Sequence, residues 1–102
     1  MQLIQIFVPL TGPNGTPFDD SLFNQVKDKL TQHFDGVTIY QRAPATGLWK
    51  EGGTAVRDEI IIYEVMAPEL NLDFWVPYKA GLEKQFGQKQ ILIRTSEISV
   101  IS

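Results

Sequence analysis

The stretch V-T-I-Y-Q-R-A-P-A-T-G-L-W-K-E-G-G-T-A-V-R-D-E-I-I-I-Y-E-V-M, residues 37–66, holds two β-prone runs with a poorly patterned segment between them. Val37 to Arg42 reads as one strand. Arg57 to Met66 reads as another, built on the β-branched run Ile60, Ile61 and Ile62. Residues 43–56 are rich in glycine and small side chains, so the pattern predicts a loop without regular structure. Two consecutive strands with a moderate connection make an antiparallel hairpin.

Working outward, each side of this hairpin carries one helix and one strand. Toward the N-terminus, residues 2–10 alternate Ile4, Ile6 and Val8 with Leu3, Gln5 and Phe7, a strand with apolar residues in both alternation sets. The turn formers T-G-P-N-G-T-P follow. A helix then starts between Pro17 and Asp20 and ends near Phe34, with Leu22, Val26 and Leu30 on one stripe. Asp19 and Asp20 suit its N-terminus, and Gly36 is expected as a left-handed cap. Toward the C-terminus, Trp75, Tyr78, Leu82 and Phe86 space out a second helix that ends at Gly87. Asp73 is the expected N-cap, because Pro77 then falls in the first turn, where few backbone donors are needed. Gln88 to Thr95 reads as a fourth strand and Ile98 to Ile101 as a short fifth one. The order β-α-β-β-α-β is the split βαβ of ferredoxin-like α+β domains. The sequence predicts one such domain over residues 1–102, an antiparallel sheet with both helices on one face and a short C-terminal extra strand.

Composition narrows the function. The 102 residues are 43% hydrophobic and 21% charged, enough apolar content for a core. Nine Lys and Arg against twelve Asp and Glu give a charge of −3, which argues against nucleic acid as a partner, since that needs a basic face. The chain has no cysteine and one histidine, so thiolate sites are excluded, no metal site is expected, and a cytoplasmic setting is favoured. The opening M-Q-L-I-Q-I-F-V-P-L lacks the basic start of a signal peptide and is too short to span a bilayer, so no membrane association is expected. No motif for a cofactor is present, and none is expected.

A sheet with helices on one face leaves the other face open. Both alternation sets of each strand are apolar here, so the open face should carry a sizeable apolar patch, which monomers seldom expose. A homodimer that closes its open faces on each other is the plainer reading. A ligand pocket on that face is the sharper one, with Tyr40, Arg42, Tyr63 and Arg94 supplying polar groups. A dimer could also enclose such a pocket.

Three further features stand out. Trp49 among Gly47, Gly52 and Gly53 reads either as a flap over a site or as an aromatic packed at an edge or a dimer contact. Arg57 and Glu59 share one alternation set at a strand start. Glu59 is a candidate general base with Arg57 or Tyr63 as electrophilic support, against the plainer reading of a solvated ion pair between Arg57 and Glu59. Glu64, if buried, calls for an Arg or Lys partner. His33 is explained by its place at a helix C-terminus.

The segments F-D-G-V-T at 34–38, G-L-W at 47–49, R-D-E at 57–59 and Y-K-A-G-L-E-K-Q-F-G-Q-K-Q-I-L-I-R at 78–94 resemble a family of small bacterial domains of unknown function. That family shows a phenylalanine-rich turn, a Gly-x-Trp, an Arg-Glu pair entering a strand and a Phe-Gly-Gln before the last strand. The resemblance spans residues 34–94. It departs where Asp58 separates Arg57 from Glu59, and the N-terminal third matches loosely. It implies a ferredoxin-like fold and, as the family has no established activity, leaves the activity open; it gives weight to Trp49, Arg57, Glu59 and Gln88.

The functional expectation is a homodimeric binding module for a small, partly apolar, anionic organic molecule, bound through Tyr40, Arg42, Trp49, Tyr63 and Arg94. The alternatives are a cofactor-free enzyme of the dimeric α+β barrel type, with Glu59 as its carboxylate base, and a protein–protein interaction domain using the Trp49 segment. The sequence does not decide between binding and catalysis.

Overall fold

The computed structural model describes residues 1–40, 46–51 and 54–102, the strands at 46–51 and 54–59 by their backbone. The elements run β1 (Gln2–Pro9), α1 (Asp20–His33), β2 (Val37–Tyr40), β3 (Thr46–Glu51), β4 (Thr54–Ala67), α2 (Leu72–Gln85) and β5 (Leu92–Glu97). The main sheet has the order β2-β4-β1-β5, and every pairing in it is antiparallel. This is the ferredoxin-like α+β arrangement the element order predicted.

The core lies between the sheet and the two helices. Ile4, Ile6 and Val8 of β1 and Ile61, Tyr63 and Val65 of β4 are buried against Val26, Leu30, Trp75, Leu82 and Phe86. The register explains why these residues share a side: Ile4 sits opposite Val65, Ile6 opposite Tyr63 and Val8 opposite Ile61. Removal of each large apolar side chain from water contributes roughly 1.5–3 kcal/mol. The opposite sides of the four strands form the open face.

Helix ends follow local chemistry. Asp19 caps α1, its carboxylate accepting the Ser21 N–H at 2.9 Å. The helix exits through Phe34 in an extended conformation, and Gly36 has no left-handed φ, so the cap expected there does not form. Asn71, not Asp73, caps α2, its side-chain oxygen accepting the Asp73 N–H at 3.1 Å. The helix therefore starts earlier than expected and Pro77 falls in its second turn. Gly87 does end α2, at φ +60, with the Gln88 N–H donating to the Glu83 carbonyl at 2.9 Å, a Schellman closure.

The last strand, expected at Gln88 to Thr95, runs instead from Leu92 to Glu97, and two further parts of the chain differ from the sequence expectation. Within residues 43–56, expected as loop, residues 46–51 form β3 and pair with Thr54–Glu59 of β4, Glu51 opposite Thr54. A two-residue Gly-Gly connection is a strong hairpin signal, and it outweighs the low strand propensity around it. The extra strand expected at Ile98–Ile101 does not form. Ile98 N–H donates to the Met1 carbonyl at 2.9 Å and so adds one bond beyond β5, after which Val100 and Ile101 are exposed.

Candidate ligand-binding face

The open face is read directly from the register. Tyr40, Ile62, Phe7 and Leu92 stand side by side across β2, β4, β1 and β5, and form an apolar row. Thr38, Glu64, Gln5 and Arg94 form the next row, which is polar. The two rows are two residues apart along each strand, about 6–7 Å. Met66, Leu3 and Ser96 continue the face beyond the polar row.

The polar row is organised around one carboxylate. Gln5 Nε2 donates to Glu64 Oε1 at 2.9 Å, and the Tyr40 hydroxyl donates to Glu64 Oε2 at 3.4 Å. Glu64 is half-buried, and these neutral donors take the place of the Arg or Lys partner expected for it. Arg94 lies over the Phe7 ring with its guanidinium carbon 4.6 Å from the centroid, a cation–π contact that joins the two rows. The face offers a flat apolar strip beside a fixed acceptor and a cation. Tyr40 and Leu92 are about half exposed, at 41% and 48%, so the strip is open to a partner.

The predicted residues divide as follows. Tyr40 and Arg94 come together on this face. Tyr63 does not join them: it is 1% exposed on the helix side of β4, and its hydroxyl donates to the Phe23 carbonyl at 3.0 Å. Tyr63 was grouped with the wrong alternation set: Tyr40 stands opposite Ile62, and Tyr63, the next residue along β4, points to the other side, opposite Ile39. Burial, and then its neighbour Tyr78, push the Tyr63 phenol well above its ordinary pKa. Arg42 lies outside the described residues. Trp49 sits opposite Val56, Leu48 opposite Arg57 and Thr46 opposite Glu59, in backbone register along β3 and β4. Gln88 serves the α2 terminus, its Nε2 donating to the Phe86 carbonyl at 3.1 Å.

Sequence reasoning missed Phe7, Gln5 and Leu92. A signal for them existed. Gln5 and Glu64 each interrupt an apolar run, Arg94 follows Leu92 on the same side of β5, and the register brings all three into one row. An apolar strand face is seldom interrupted by charge unless that face meets water or a ligand.

Elsewhere, a groove of about 570 Å3 lies between the turn at Gly12–Phe18 and the α2 end at Lys84–Gly87. None of the sequence-predicted residues lines it. Among the described residues no group of three His, Cys, Asp or Glu side chains could hold a metal, and no helix is long and apolar enough to cross a membrane.

No family model matches the chain, and no curated protein matches it. Solved structures do. A phage SAM lyase in complex with S-methyl-5'-thioadenosine superposes with a TM-score of 0.62 at 15% identity, covering 94% of this chain and 80% of that one. A phage SAM lyase in the apo state gives 0.61 at 13% identity, covering 93% and 78%. At such identities the likeness shows a shared fold: an antiparallel sheet carrying two helices.

Proposed function

We propose that this chain is a homodimeric binding module for a small amphipathic organic molecule held on the open sheet face. The observation that carries the reading is the pairing of rows. A planar apolar ring matches the strip Tyr40–Ile62–Phe7–Leu92, and a hydroxyl-bearing portion matches the Glu64 acceptor 6–7 Å away, about two residues along the strands. Arg94 supplies the contact for an anionic group where the ligand has one. A nucleoside has this outline, and the phage lyase of the same fold binds S-methyl-5'-thioadenosine. That compound is therefore the first ligand to test. The dimer accounts for the apolar face beyond the ligand, where Met66 is 50% exposed beside Leu3.

Calorimetric titration with S-methyl-5'-thioadenosine tests the reading. Binding is expected in wild type. Glu64→Ala is expected to weaken it about tenfold, because a hydrogen bond to a charged group contributes about 1.5–3 kcal/mol and 1.4 kcal/mol is a factor of ten. Absence of heat with this nucleoside, S-adenosylmethionine and adenosine removes the nucleoside reading.

A cofactor-free enzyme is the second reading, favoured by the fold that the chain shares with a lyase. Glu59 as base with Arg57 as support remains a proposal of the sequence alone. Glu64, whose carboxylate is oriented by Gln5 and Tyr40, is the better-positioned acid group on the described face. Product formation from a bound nucleoside, lost in Glu64→Gln, separates catalysis from binding.

A further inference from the structure

Strand β4 is fourteen residues long, and its two halves have different neighbours. From Ile60 onward it pairs with β1, and from Ile62 onward also with β2. Residues Thr54–Glu59 pair with β3. Strands β3 and β4 thus form a two-stranded arm that continues past the end of β1 at Pro9, for six residues or about 20 Å. The 43 Å long axis of the molecule, against 27 and 26 Å across, accommodates the full length of β4.

An isolated two-stranded ribbon is marginal in water at best, and its outer edges invite further pairing. This arm carries Leu48, Trp49 and Val56, with Trp49 in register with Val56. The arm prolongs β4, so it runs onward from the sheet and its own open face lies behind it. Each copy therefore has an apolar face without a cover and a two-stranded ribbon that runs past the sheet with apolar residues in its sequence. A second identical copy supplies what each lacks, and a closed two-fold pair satisfies both needs at once.

We infer that the β3–β4 arm of one copy lies across the open face of another and completes the ligand site there. The inference rests on the open face being the ligand site, and it names the second copy as the source of the missing wall. Trp49, in register with Val56 on the arm, is the residue brought to the site from outside. An unrelated protein docking on the same face would leave the arm with no role.

The chain has no cysteine, which makes directed cross-linking clean. One protein carries Val56→Cys on the arm and an affinity tag. The second, untagged, carries Leu92→Cys on the face. The control partner carries Lys27→Cys at an exposed position of α1. Thermal melts check that each variant is folded. Under mild oxidation the arm–face mixture is expected to give tagged heterodimer, and the arm–α1 mixture little. Trp49→Ala in the tagged chain is expected to reduce the yield. Equal yields from face and α1 partners, or a wild type that sediments as a monomer at all concentrations, overturn the inference. The readout needs no ligand. Cross-linking without nucleoside binding removes only the ligand reading, and binding without preferential cross-linking removes only the arm.

Discussion

Tyr63 is buried and Tyr78 is half-buried with its hydroxyl inside, and the same substitution should have opposite effects in them. The Tyr63 hydroxyl donates to the Phe23 carbonyl and ties β4 to α1. Tyr63→Phe removes that bond and is expected to cost about 1 kcal/mol. The Tyr78 hydroxyl is buried with no partner among the described residues, and burial pushes its pKa up to about 12. Tyr78→Phe removes a desolvated, unpaired group and should stabilise by about 1 kcal/mol. Thermal melts resolve both, since 1 kcal/mol corresponds to about 4–8 °C at this chain length. The helical spacing made Tyr78 legible as core. It could not place Tyr63, because both alternation sets of β4 are apolar and only the packed helices choose between them. The same ambiguity hid Phe7, while Gln5 could have resolved it as the one polar residue in its set.

At the scale of elements, the Asp19 cap of α1 is a place where sequence and structure agree and where pH should act. The Asp19 carboxylate is held below the ordinary aspartate value of 3.8, first by the Ser21 backbone N–H and then by the Ser21 side chain. A carboxylate whose pKa is lower in the folded chain stabilises at pH above its unfolded value, and that contribution fades as pH falls through the folded value. Asp19→Ala should therefore melt below wild type by a constant margin near neutral pH. The gap should close under acid conditions below 3.8. A gap that persists or widens in acid would show that the cap does not act through its charge.

Both helices and the four principal strands were legible because their periodicities are strong. Strand β3 was not. Glycines and small residues around Trp49 resemble a loop by propensity, and it is the Gly52-Gly53 spacing between Glu51 and Thr54 that fits a hairpin. The C-terminal run Ile98–Ile101 was misread in the other direction. Its β-branched residues suit a strand, yet beyond Ile98 they find no ladder to join among the described residues.

For the molecule as a whole, the sheet serves two environments with one set of strands. The helix side is closed by Trp75, Leu82, Phe86 and their neighbours. The open side keeps Tyr40, Leu92 and Met66 accessible around a carboxylate fixed by two neutral donors. The existence of an uncovered apolar face followed from the element order. Its polar row could not be assembled without the register, because Gln5, Glu64 and Arg94 are far apart in the chain and adjacent only in the sheet. The central claim is that this face is where a small molecule binds. Its most direct test is an amide NMR titration of the folded protein with S-methyl-5'-thioadenosine. The account predicts shifts concentrated at Gln5, Phe7, Ile62, Glu64, Leu92 and Arg94. Shifts confined to the groove between Gly12–Phe18 and Lys84–Gly87, or none anywhere, would contradict it.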